Sequence, residues 1–396
     1  MKETLETLEQ FAIEVILERR KGLRAAALRL LLFGLSGIYR EAVRLRHFLY
    51  RHRVIREHNL GCMVISIGNL TVGGTGKTPV VEMFAKALQR GGRNVAILSR
   101  GYKSEKPPLK GKFKAWLLGK ELANPPRVVS DGETVLLDSR TAGDEPFMLA
   151  SNLNGVSVVV DKDRVKAGSY AIEKFGADTL LLDDGLQYLR LRHRLDIVLI
   201  DRYAPFGNEY LLPRGTLREP PRHLRHASYI FITKCDGEPN DLLIKRIRKY
   251  NRTAELIECR HRPLYLENAL SGERKPLEFL RNRYVGTISG IAIPESFENG
   301  LRHLGAKVEV VRRYADHHRY TEKEISDFIG RCIHRDLDII VTTEKDCVRF
   351  PPLAQSDVPI YFLRVEIEIV SGKETWDACI NRICGPRPVV RQKQFG

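Results

Sequence analysis

The sequence has few cysteines, and their pattern argues against two kinds of cross-link. Its seven cysteines make an odd total, and no Cys-x-x-Cys spacing occurs among its 396 residues. Disulfide frameworks use paired cysteines, and cysteine-based zinc sites use closely spaced pairs. We therefore expect neither, and the pattern is typical of a protein from a reducing cytosol.

A long apolar run is also missing. The longest uncharged apolar stretch near the N-terminus, residues 30–39, is about half of the ~20 residues that cross a bilayer as a helix. The N-terminus has no basic region followed by an apolar core and a small-residue cleavage site, so we expect no secretory signal. The sequence predicts no membrane-spanning segment.

Acidic residues are too few to balance the basic ones. The chain has 49 Asp and Glu against 65 Lys and Arg, a formal net charge of +16. Such an excess attracts nucleic acid, an anionic membrane surface or phosphorylated substrates. The sequence has no recognisable nucleic-acid-binding module with aromatic residues interleaved on a basic strand. We therefore expect no nucleic-acid partner.

The basic charge is concentrated near the N-terminus. Residues 19–56 contain many arginines and only Glu41 on the acidic side. The pattern predicts an amphipathic helix or helix pair, and glycine favours a break near Gly34 and Gly37. This leader either packs on the protein's own core or lies in a membrane interface. Its apolar side would carry Leu28, Leu31, Leu32, Leu35, Ile38 and Tyr39, while Arg24, Arg40 and Arg44 reach another side.

Short apolar runs recur between residues 60 and 250, with helical patterns between them. Continuous hydrophobicity predicts strands buried on both faces, hence an α/β fold with a mainly parallel sheet. An alternating stretch near the C-terminus predicts an antiparallel strand that pairs with an earlier one and links two domains. The expected divisions are a helical leader at 1–58, a larger domain at 59–252, the linker at 253–268 and 359–370, a smaller α/β domain at 282–356, and a helix at 373–384.

The stretch "TVGGTGKT", residues 71–78, lies between an apolar run and a helical pattern. In a P-loop, backbone N–H groups wrap the β-phosphate, the lysine reaches the β and γ oxygens, and the last threonine binds Mg²⁺. The usual pattern has glycine where Thr71 stands. The predicted nucleotide-binding residues are Thr71, Val72, Gly73, Gly74, Thr75, Gly76, Lys77 and Thr78.

Two aspartates end the apolar run "TLLLDD". Asp183 and Asp184 would lie at the carboxyl edge of a strand near the P-loop, where such proteins hold Mg²⁺ or its waters. The alternative is a simple turn, because Asp-Gly marks many turns. A turn would need no metal.

Two further motifs carry titratable groups. "TAGDEP" places Asp144 and Glu145 before a helix expected near Pro146, where helix capping is the structural alternative. "YADHHRYT" contains Asp316, His317 and His318, and a histidine facing a carboxylate could raise its basicity or relay its proton. The sequence alone does not bring the two motifs together.

Two polar stretches have less specific patterns. "TKCD", residues 233–236, resembles a guanine-selecting N-K-x-D motif but lacks the asparagine. "TTEKD", residues 342–346, follows a predicted strand and fits a polar binding loop and a helix cap equally well.

Taken together, the motifs resemble one family. "GNLTVGGTGKTP", "SRGY", "GDEP", "DDGLQ", "LLPRGTLREP", "ADHHRYT" and "TTEKD" occur in this order over residues 60–350. They resemble the tetraacyldisaccharide 4'-kinases, the lipid A 4'-kinases of Gram-negative bacteria. The basic leader is similar in kind.

The resemblance implies a P-loop NTPase-like α/β/α sandwich and a smaller α/β/α domain, joined by a two-stranded linker. It implies ATP and Mg²⁺ as cofactors, and phosphoryl transfer to the 4'-hydroxyl of tetraacyldisaccharide 1-phosphate to give lipid IVA. It also implies a peripheral protein on the cytoplasmic face of the inner membrane, and we expect that protein to be a monomer. There, each Lys or Arg near the anionic surface would contribute about 1 kcal/mol to binding.

The resemblance assigns roles to individual residues. Lys77 would act on the transferred phosphoryl group, and Thr71 matches the family's own P-loop pattern. Asp144 would take the proton from the sugar hydroxyl, supported by His317. The other implied residues are Thr78, Asp183 and Asp184 for Mg²⁺, and Arg100, Tyr102 and Glu219 for the substrate cleft.

The sequence departs from the family at one motif, and one rival function stays open. Leu186 and Tyr188 stand where the family reads Phe and His, which leaves the aspartates in place but removes an imidazole. The rival is a membrane-associated P-loop switch ATPase without lipid kinase activity. Those proteins carry a second lysine early in the loop, at the position of Val72 here, so the loop favours the kinase.

Overall fold

A computed structural model describes residues 11–101, 125–353 and 355–385 of the chain. Its strands are β1 Met63–Asn69, β2 Val95–Ser99, β3 Arg127–Ser130, β4 Ser157–Val160, β5 Thr179–Asp183, β6 Leu195–Asp201, β7 Tyr229–Thr233, β8 Glu255–Asn268, β9 Arg274–Lys275, β10 Tyr284–Ser289, β11 Lys307–Arg313, β12 Ile339–Thr343 and β13 Ile360–Ser371. The α-helices with both ends among these residues include α1 Leu23–Arg51, α2 Lys77–Arg90, α3 Ser139–Ala142, α4 Asp144–Asn152, α5 Arg164–Phe175, α6 Asp241–Arg248, α7 Pro294–His303, α8 Glu322–His334, α9 Glu344–Cys347 and α10 Lys373–Cys384.

These strands form one continuous sheet in the order β11-β10-β12-β13-β8-β7-β6-β1-β5-β2-β4-β3, with β9 beside β8. From β8 to β4 the neighbouring strands are parallel, and β3 is an antiparallel edge strand. Strands β2, β4, β5 and β7 are buried along their whole length. Their unbroken apolar runs reflect cover by helices on both faces, as expected for a parallel sheet. The predicted α/β class and mainly parallel sheet are confirmed.

The link between the two parts of the sheet is an antiparallel pair. Strand β8 runs beside β13 from Tyr361 opposite Asn268 to Ser371 opposite Glu258. Beyond β13, strands β12, β10 and β11 are all parallel to their neighbours. The predicted two-stranded linker is therefore confirmed, while the exact domain limits stay a prediction.

The core on one face of the larger part packs α2 and α10 against the central strands. Phe84 of α2 makes edge-to-face ring contacts with Phe231 and Trp376, at centroid distances of 5.6 and 4.6 Å. Truncating such a buried aromatic side chain to alanine typically costs about 3–5 kcal/mol. This packing fixes the start of α2, and with it the P-loop, against the sheet.

Helix α1 is one uninterrupted helix of 29 residues. Of the two predicted alternatives, the single helix is observed, and the helix pair with a break near Gly34 and Gly37 is not. Two glycines cost only about 1 kcal/mol each in a helix interior. Its Ser36 Oγ donates to the Leu211 carbonyl at 3.0 Å, and its Tyr39 hydroxyl donates to the Arg218 carbonyl at 3.1 Å. Among the described helices, none is both long and apolar enough to cross a membrane.

Candidate active site

The P-loop begins where β1 ends, in the middle of the parallel sheet. Val72 N–H donates to the Thr216 carbonyl at 2.7 Å, so the segment after β6 supports the start of the loop. Gly76 takes a φ of +78°, a left-handed conformation in which a side chain would be strained. A Cβ there would also lie 2.8 Å from the imidazole of His261. Glycine at this position therefore satisfies both the turn and the close approach of the linker.

Lys77, the first residue of α2, faces a hydrogen-bonded group of polar side chains around the carboxylate of Asp184. Its Nζ donates to Asn69 Oδ1 at 3.2 Å and lies 3.6 Å from Asp184 Oδ1. Arg218 binds both oxygens of Asp184 at 2.7 Å, in the bidentate geometry that suits a guanidinium. Burial opposes ionisation of Asp184, but Arg218 and Lys77 outweigh it and lower its pKa to about 2. Asp184 is therefore an anion at neutral pH.

Asp183 has the opposite environment. It is the last residue of β5, pairs with Ile67 of β1, and is 2% exposed. Burial, together with the charges of Glu145 and Asp184, raises its pKa to about 7. Its Oδ2 accepts from Ser99 Oγ at 3.2 Å, while its Oδ1 is buried without a hydrogen-bond partner in the described part of the chain. A buried oxygen of this kind suits a cation.

Asp144 is the first residue of α4, and its carboxylate does not cap that helix. Arg349 Nε donates to its Oδ2 at 2.7 Å, Arg319 donates to its Oδ1 at 3.1 Å, and His317 Nδ1 lies 3.3 Å from Oδ2. Burial would raise its pKa, but His317 and the two arginines outweigh that effect and hold the pKa below its usual value. The capping alternative for Asp144 is therefore not observed.

The partners of Asp144 come from the other side of the linker and are themselves fixed. The fully buried Arg349 also donates to Asp346 Oδ1 and to the Gly290 carbonyl, each at 3.1 Å. Asp346 accepts further hydrogen bonds from the Tyr320 hydroxyl at 3.0 Å and Gly290 N–H at 3.0 Å. Asp144 thus joins a preformed network of the smaller part of the molecule.

The two clusters lie next to each other. Glu145, which follows Asp144, lies close enough to Asp183 to help raise its pKa. Glu145 also accepts from Lys345 Nζ at 3.3 Å, and that ammonium group lies 3.5 Å from His317 Nε2. The "TTEKD" stretch therefore combines the two predicted alternatives, a helix cap and a polar loop at the site. Thr343 caps α9, and Lys345 reaches the candidate site.

The other predicted site residues have different positions. Arg100 follows β2 and is exposed. It lies near Arg164, and the pKa of Arg164 is lowered by burial and by the positive charge of Arg100. Tyr102 lies outside the described residues. Glu219 is 1% exposed beneath α1 and accepts hydrogen bonds from basic side chains. Burial would raise its pKa, but the hydrogen bonds to His223 and His47 and the charge of Arg46 outweigh that effect and lower the pKa to about 2. The partners of the Glu219 carboxylate are therefore side chains of the protein itself.

The unusual residues of "DDGLQY" have structural partners. Leu186 packs so closely on Gly68 that a Cβ at Gly68 would lie 2.7 Å from it. The Tyr188 hydroxyl donates to Asp163 at 3.1 Å and accepts from Arg164 N–H at 3.0 Å. Tyr188 therefore supports the start of α5.

Sequence reasoning missed several polar residues that complete the site. They had a signal, since each stands in or just after a recognised motif: Asn69, Ser99, Arg218, Arg319 and Arg349. The lookalike "TKCD" is structural, because Thr233 Oγ1 donates to the Thr75 carbonyl at 3.0 Å and Lys234 pairs with Asp201 at 2.5 Å.

A glycine-rich loop between a central parallel strand and a helix, beside two strand-end aspartates, defines a P-loop NTPase-like protein. Comparison with known proteins specifies the family. Residues 28–384 match the model of the tetraacyldisaccharide-1-P 4'-kinases. The chain belongs to this family.

Individual relatives agree with that assignment. A tetraacyldisaccharide 4'-kinase of Syntrophus aciditrophicus is 36% identical over 353 residues, which covers 87% of this chain and 90% of the relative. One of Anaeromyxobacter dehalogenans (strain 2CP-C) is 38% identical over 346 residues, covering 86% and 87%. The crystal structure of LpxK from Aquifex aeolicus in complex with ATP is similar with a TM-score of 0.69 at 28% identity, covering 90% of this chain and 99% of that one.

Proposed function

We propose that the protein transfers the γ-phosphoryl group of ATP to the 4'-hydroxyl of tetraacyldisaccharide 1-phosphate, giving lipid IVA. One observation carries this proposal. In a chain of this family, the P-loop lysine Lys77 and its partner Asp184 lie next to the group of residues that holds Asp144. The named relatives are tetraacyldisaccharide 4'-kinases, and the LpxK structure contains ATP. Family membership favours the kinase over the switch ATPase considered above.

The phosphate side supplies binding and charge neutralisation. Residues 71–78 would enclose the phosphates with backbone N–H groups, and Lys77 would move from Asn69 and Asp184 to the β and γ oxygens. Phosphoryl transfer passes through a loose transition state, in which positioning and electrostatic stabilisation provide most of the acceleration. Lys77 and Arg218 are the cations beside this position.

The residues present fit a bound Mg²⁺. Hard oxygen ligands suit this ion. Asp183 Oδ1, which has no hydrogen-bond partner among the described residues, the anionic Asp184 and the Thr78 hydroxyl of the P-loop are such oxygens. We assign Thr78, Asp183 and Asp184 as the residues that would hold Mg²⁺ or its waters. When bound, Mg²⁺ would neutralise charge on the phosphate oxygens.

The acceptor side would orient and deprotonate the sugar hydroxyl. Asp144 is ionised at neutral pH, so it can accept a proton, but two arginines stabilise its anion and make it a weak base. A loose transition state needs little proton removal before the phosphoryl group moves. Asp144 would therefore act first by aligning the hydroxyl and later by taking its proton. His317, beside Oδ2, would share or relay that proton.

Substrate contacts belong to this proposal as well. We assign Arg100 and Tyr102 to the cleft that receives the substrate, because they follow β2 directly in the chain. The exposed guanidinium of Arg100 suits the 1-phosphate or another anion. Glu219 is buried under α1, so we assign it a positioning part, through its basic partners on that helix.

We also propose that the protein works as a peripheral monomer on the cytoplasmic face of the inner membrane. Helix α1 exposes large apolar side chains, among them Leu30 at 75% and Ile38 at 69%, and it is rich in arginine. Such a helix binds an interface through its apolar face and through anionic lipids. This position would bring the active site to a substrate whose acyl chains lie in the bilayer.

Vesicle flotation tests the membrane proposal. The wild-type chain should bind vesicles with anionic lipid, lose binding at high salt, and bind neutral vesicles weakly. Leu30→Glu with Ile38→Glu should reduce binding at least tenfold. Leu242→Glu, at an 84% exposed leucine of α6, is the matched control. Equal binding by the double variant and the control would contradict a role of α1.

Transfer of radioactive label tests the kinase. Purified protein, Mg²⁺ and γ-labelled ATP are mixed with tetraacyldisaccharide 1-phosphate in detergent micelles, with Lys77→Ala in parallel. Label in the lipid that the variant does not produce is the expected result. ATP hydrolysis without labelled lipid would reject the kinase and favour the switch ATPase.

A further inference from the structure

A cluster of two histidines and a glutamate lies between α1 and the body of the protein. His47 comes from α1, whereas Glu219 and His223 belong to the segment after β6. Glu219 Oε2 lies 3.1 Å from His47 Nε2 and 2.6 Å from His223 Nδ1. Neither histidine binds a phosphate or moves a proton in the phosphoryl transfer proposed above. The cluster therefore needs a separate explanation.

The chemistry of the three groups is that of a metal site. Two imidazole nitrogens and one carboxylate oxygen form a His₂Glu set, a common arrangement for Zn²⁺ with a fourth, open position. We propose that His47, Glu219 and His223 bind a divalent transition-metal ion of the Zn²⁺ class, which fastens α1 to the body of the protein. The cysteine pattern of the sequence could not indicate this site, because its three ligands include no cysteine.

The distances allow one ion to reach all three ligands. The three ligand atoms lie within 4.8 Å of one another. Zn²⁺ binds nitrogen and oxygen at about 2.0–2.2 Å, which separates tetrahedral ligand atoms by roughly 3.3–3.5 Å. The separation of 2.6 Å between Glu219 Oε2 and His223 Nδ1 must therefore widen by less than about 1 Å. Each imidazole would carry its single proton on the other ring nitrogen.

The surroundings orient the carboxylate for this role. Glu219 is 1% exposed, and Arg46 binds its other oxygen, Oε1, which leaves Oε2 directed at the histidines. An outer partner of this kind fixes a metal-binding carboxylate and commonly changes metal affinity by about 10- to 100-fold. The side chain of His47 is 25% exposed, so an ion can enter from that side.

The ligand type also separates this site from the active site. Imidazole favours Zn²⁺, Co²⁺ or Ni²⁺, whereas Mg²⁺ prefers oxygen ligands and water. Glu219 directly follows Arg218, the residue that grips Asp184. A metal here would thus fasten the leader helix beside a residue that contacts the phosphate side. This inference does not depend on the kinase assignment.

Direct binding measurements on the full-length chain without a histidine tag test the proposal. Chelator-treated protein is titrated with Co²⁺ in excess Mg²⁺, and the visible absorption of low-symmetry Co²⁺ is recorded. One equivalent should bind, Zn²⁺ should displace it, and Mg²⁺ should not. Zn²⁺ should also raise the midpoint of thermal unfolding. Absence of one-to-one binding, or displacement by Mg²⁺, would overturn the proposal.

Three variants locate the bound ion. His47→Gln keeps an N–H donor for Glu219 but removes the imidazole, so Zn²⁺ affinity should fall at least tenfold while the fold persists. His223→Gln should do the same, and His334→Gln, at an exposed position of α8, should bind like the wild type. Circular dichroism with chelator checks folding of each variant. Wild-type affinity in His47→Gln and His223→Gln would place the metal elsewhere and reject the site.

Discussion

The two halves of the candidate site are built in different ways. The phosphate side takes Asn69, Lys77, Asp184 and Arg218 from the larger part of the sheet. The acceptor side sets Asp144, from the same part, against His317, Arg319 and Arg349 from beyond the linker. One side is complete within a single part, and the other exists only when both parts meet.

This difference separates binding from turnover. Groups that contact phosphates in both the ground state and the transition state affect nucleotide affinity as well as rate, whereas groups that align the acceptor affect the rate alone. The phosphate side should therefore bind ATP without its partner across the linker. The acceptor side should control whether bound ATP is used.

The largest effect should follow the loss of Lys77. Lys77→Ala removes the P-loop cation, and loss of a cation at the transferred group costs about 10³- to 10⁵-fold in rate. Lys77→Arg is the matched control, because it keeps the positive charge. Its planar guanidinium is larger than the ammonium group of lysine and does not fit the same position. ATP affinity, measured by calorimetry, should fall as well. Unchanged ATP affinity in Lys77→Ala would contradict the proposed separation of ATP binding by the phosphate side from turnover controlled by the acceptor side.

Asp144→Asn should have the next largest effect, and of the opposite kind. The amide keeps the shape of the side chain but cannot accept the proton, so turnover should fall by about 10²- to 10⁴-fold. ATP affinity should stay within a factor of two or three of the wild-type value. Asp316→Asn, at a half-exposed neighbour of His317, is the control. Near-normal turnover in Asp144→Asn would remove Asp144 from the mechanism.

Sequence patterns reached the phosphate side more fully than the acceptor side, and the reason is distance along the chain. The P-loop is one continuous segment, and strand-end aspartates in a parallel sheet meet at the same edge. Asp144 and Arg349, by contrast, are 205 residues apart. Spacing alone did not bring them together, and only the resemblance paired Asp144 with His317. The arginines were not recognised as partners, because nothing local shows which carboxylate a buried guanidinium will meet.

Arg349→Leu tests how firmly the acceptor side is held. Arg349 is fully buried between Asp144 and Asp346, and removing one partner of a buried ion pair costs about 3–5 kcal/mol. The urea midpoint should drop and turnover should fall. Arg319→Leu removes a partner of Asp144 that is 35% exposed, so it should cost roughly 0–1 kcal/mol in stability. Equal losses from the two variants would contradict the inferred buried network.

The smallest effect concerns His261, the residue of the linker that touches the P-loop at Gly76. Burial and the charge of Lys234 lower its pKa from 6.5 to about 4, against a small opposing effect of Asp201. The unfolded chain therefore takes up a proton as the pH falls below 6.5, while the folded protein does so only near pH 4. Stability from this group is complete above pH 6.5 and is lost progressively between pH 6.5 and 4.

Replacing His261 should therefore flatten part of the pH dependence of stability. The free energy of unfolding of His261→Gln, relative to the wild type, should rise by on the order of 1–3 kcal/mol between pH 7.5 and pH 4.5. His334→Gln, at an exposed site, should show no such change. A constant difference between His261→Gln and the wild type would mean that the linker meets the P-loop without excluding the charged imidazole. The two parts would then be coupled more loosely at the P-loop than at Asp144, where an ion pair with a fully buried arginine joins them.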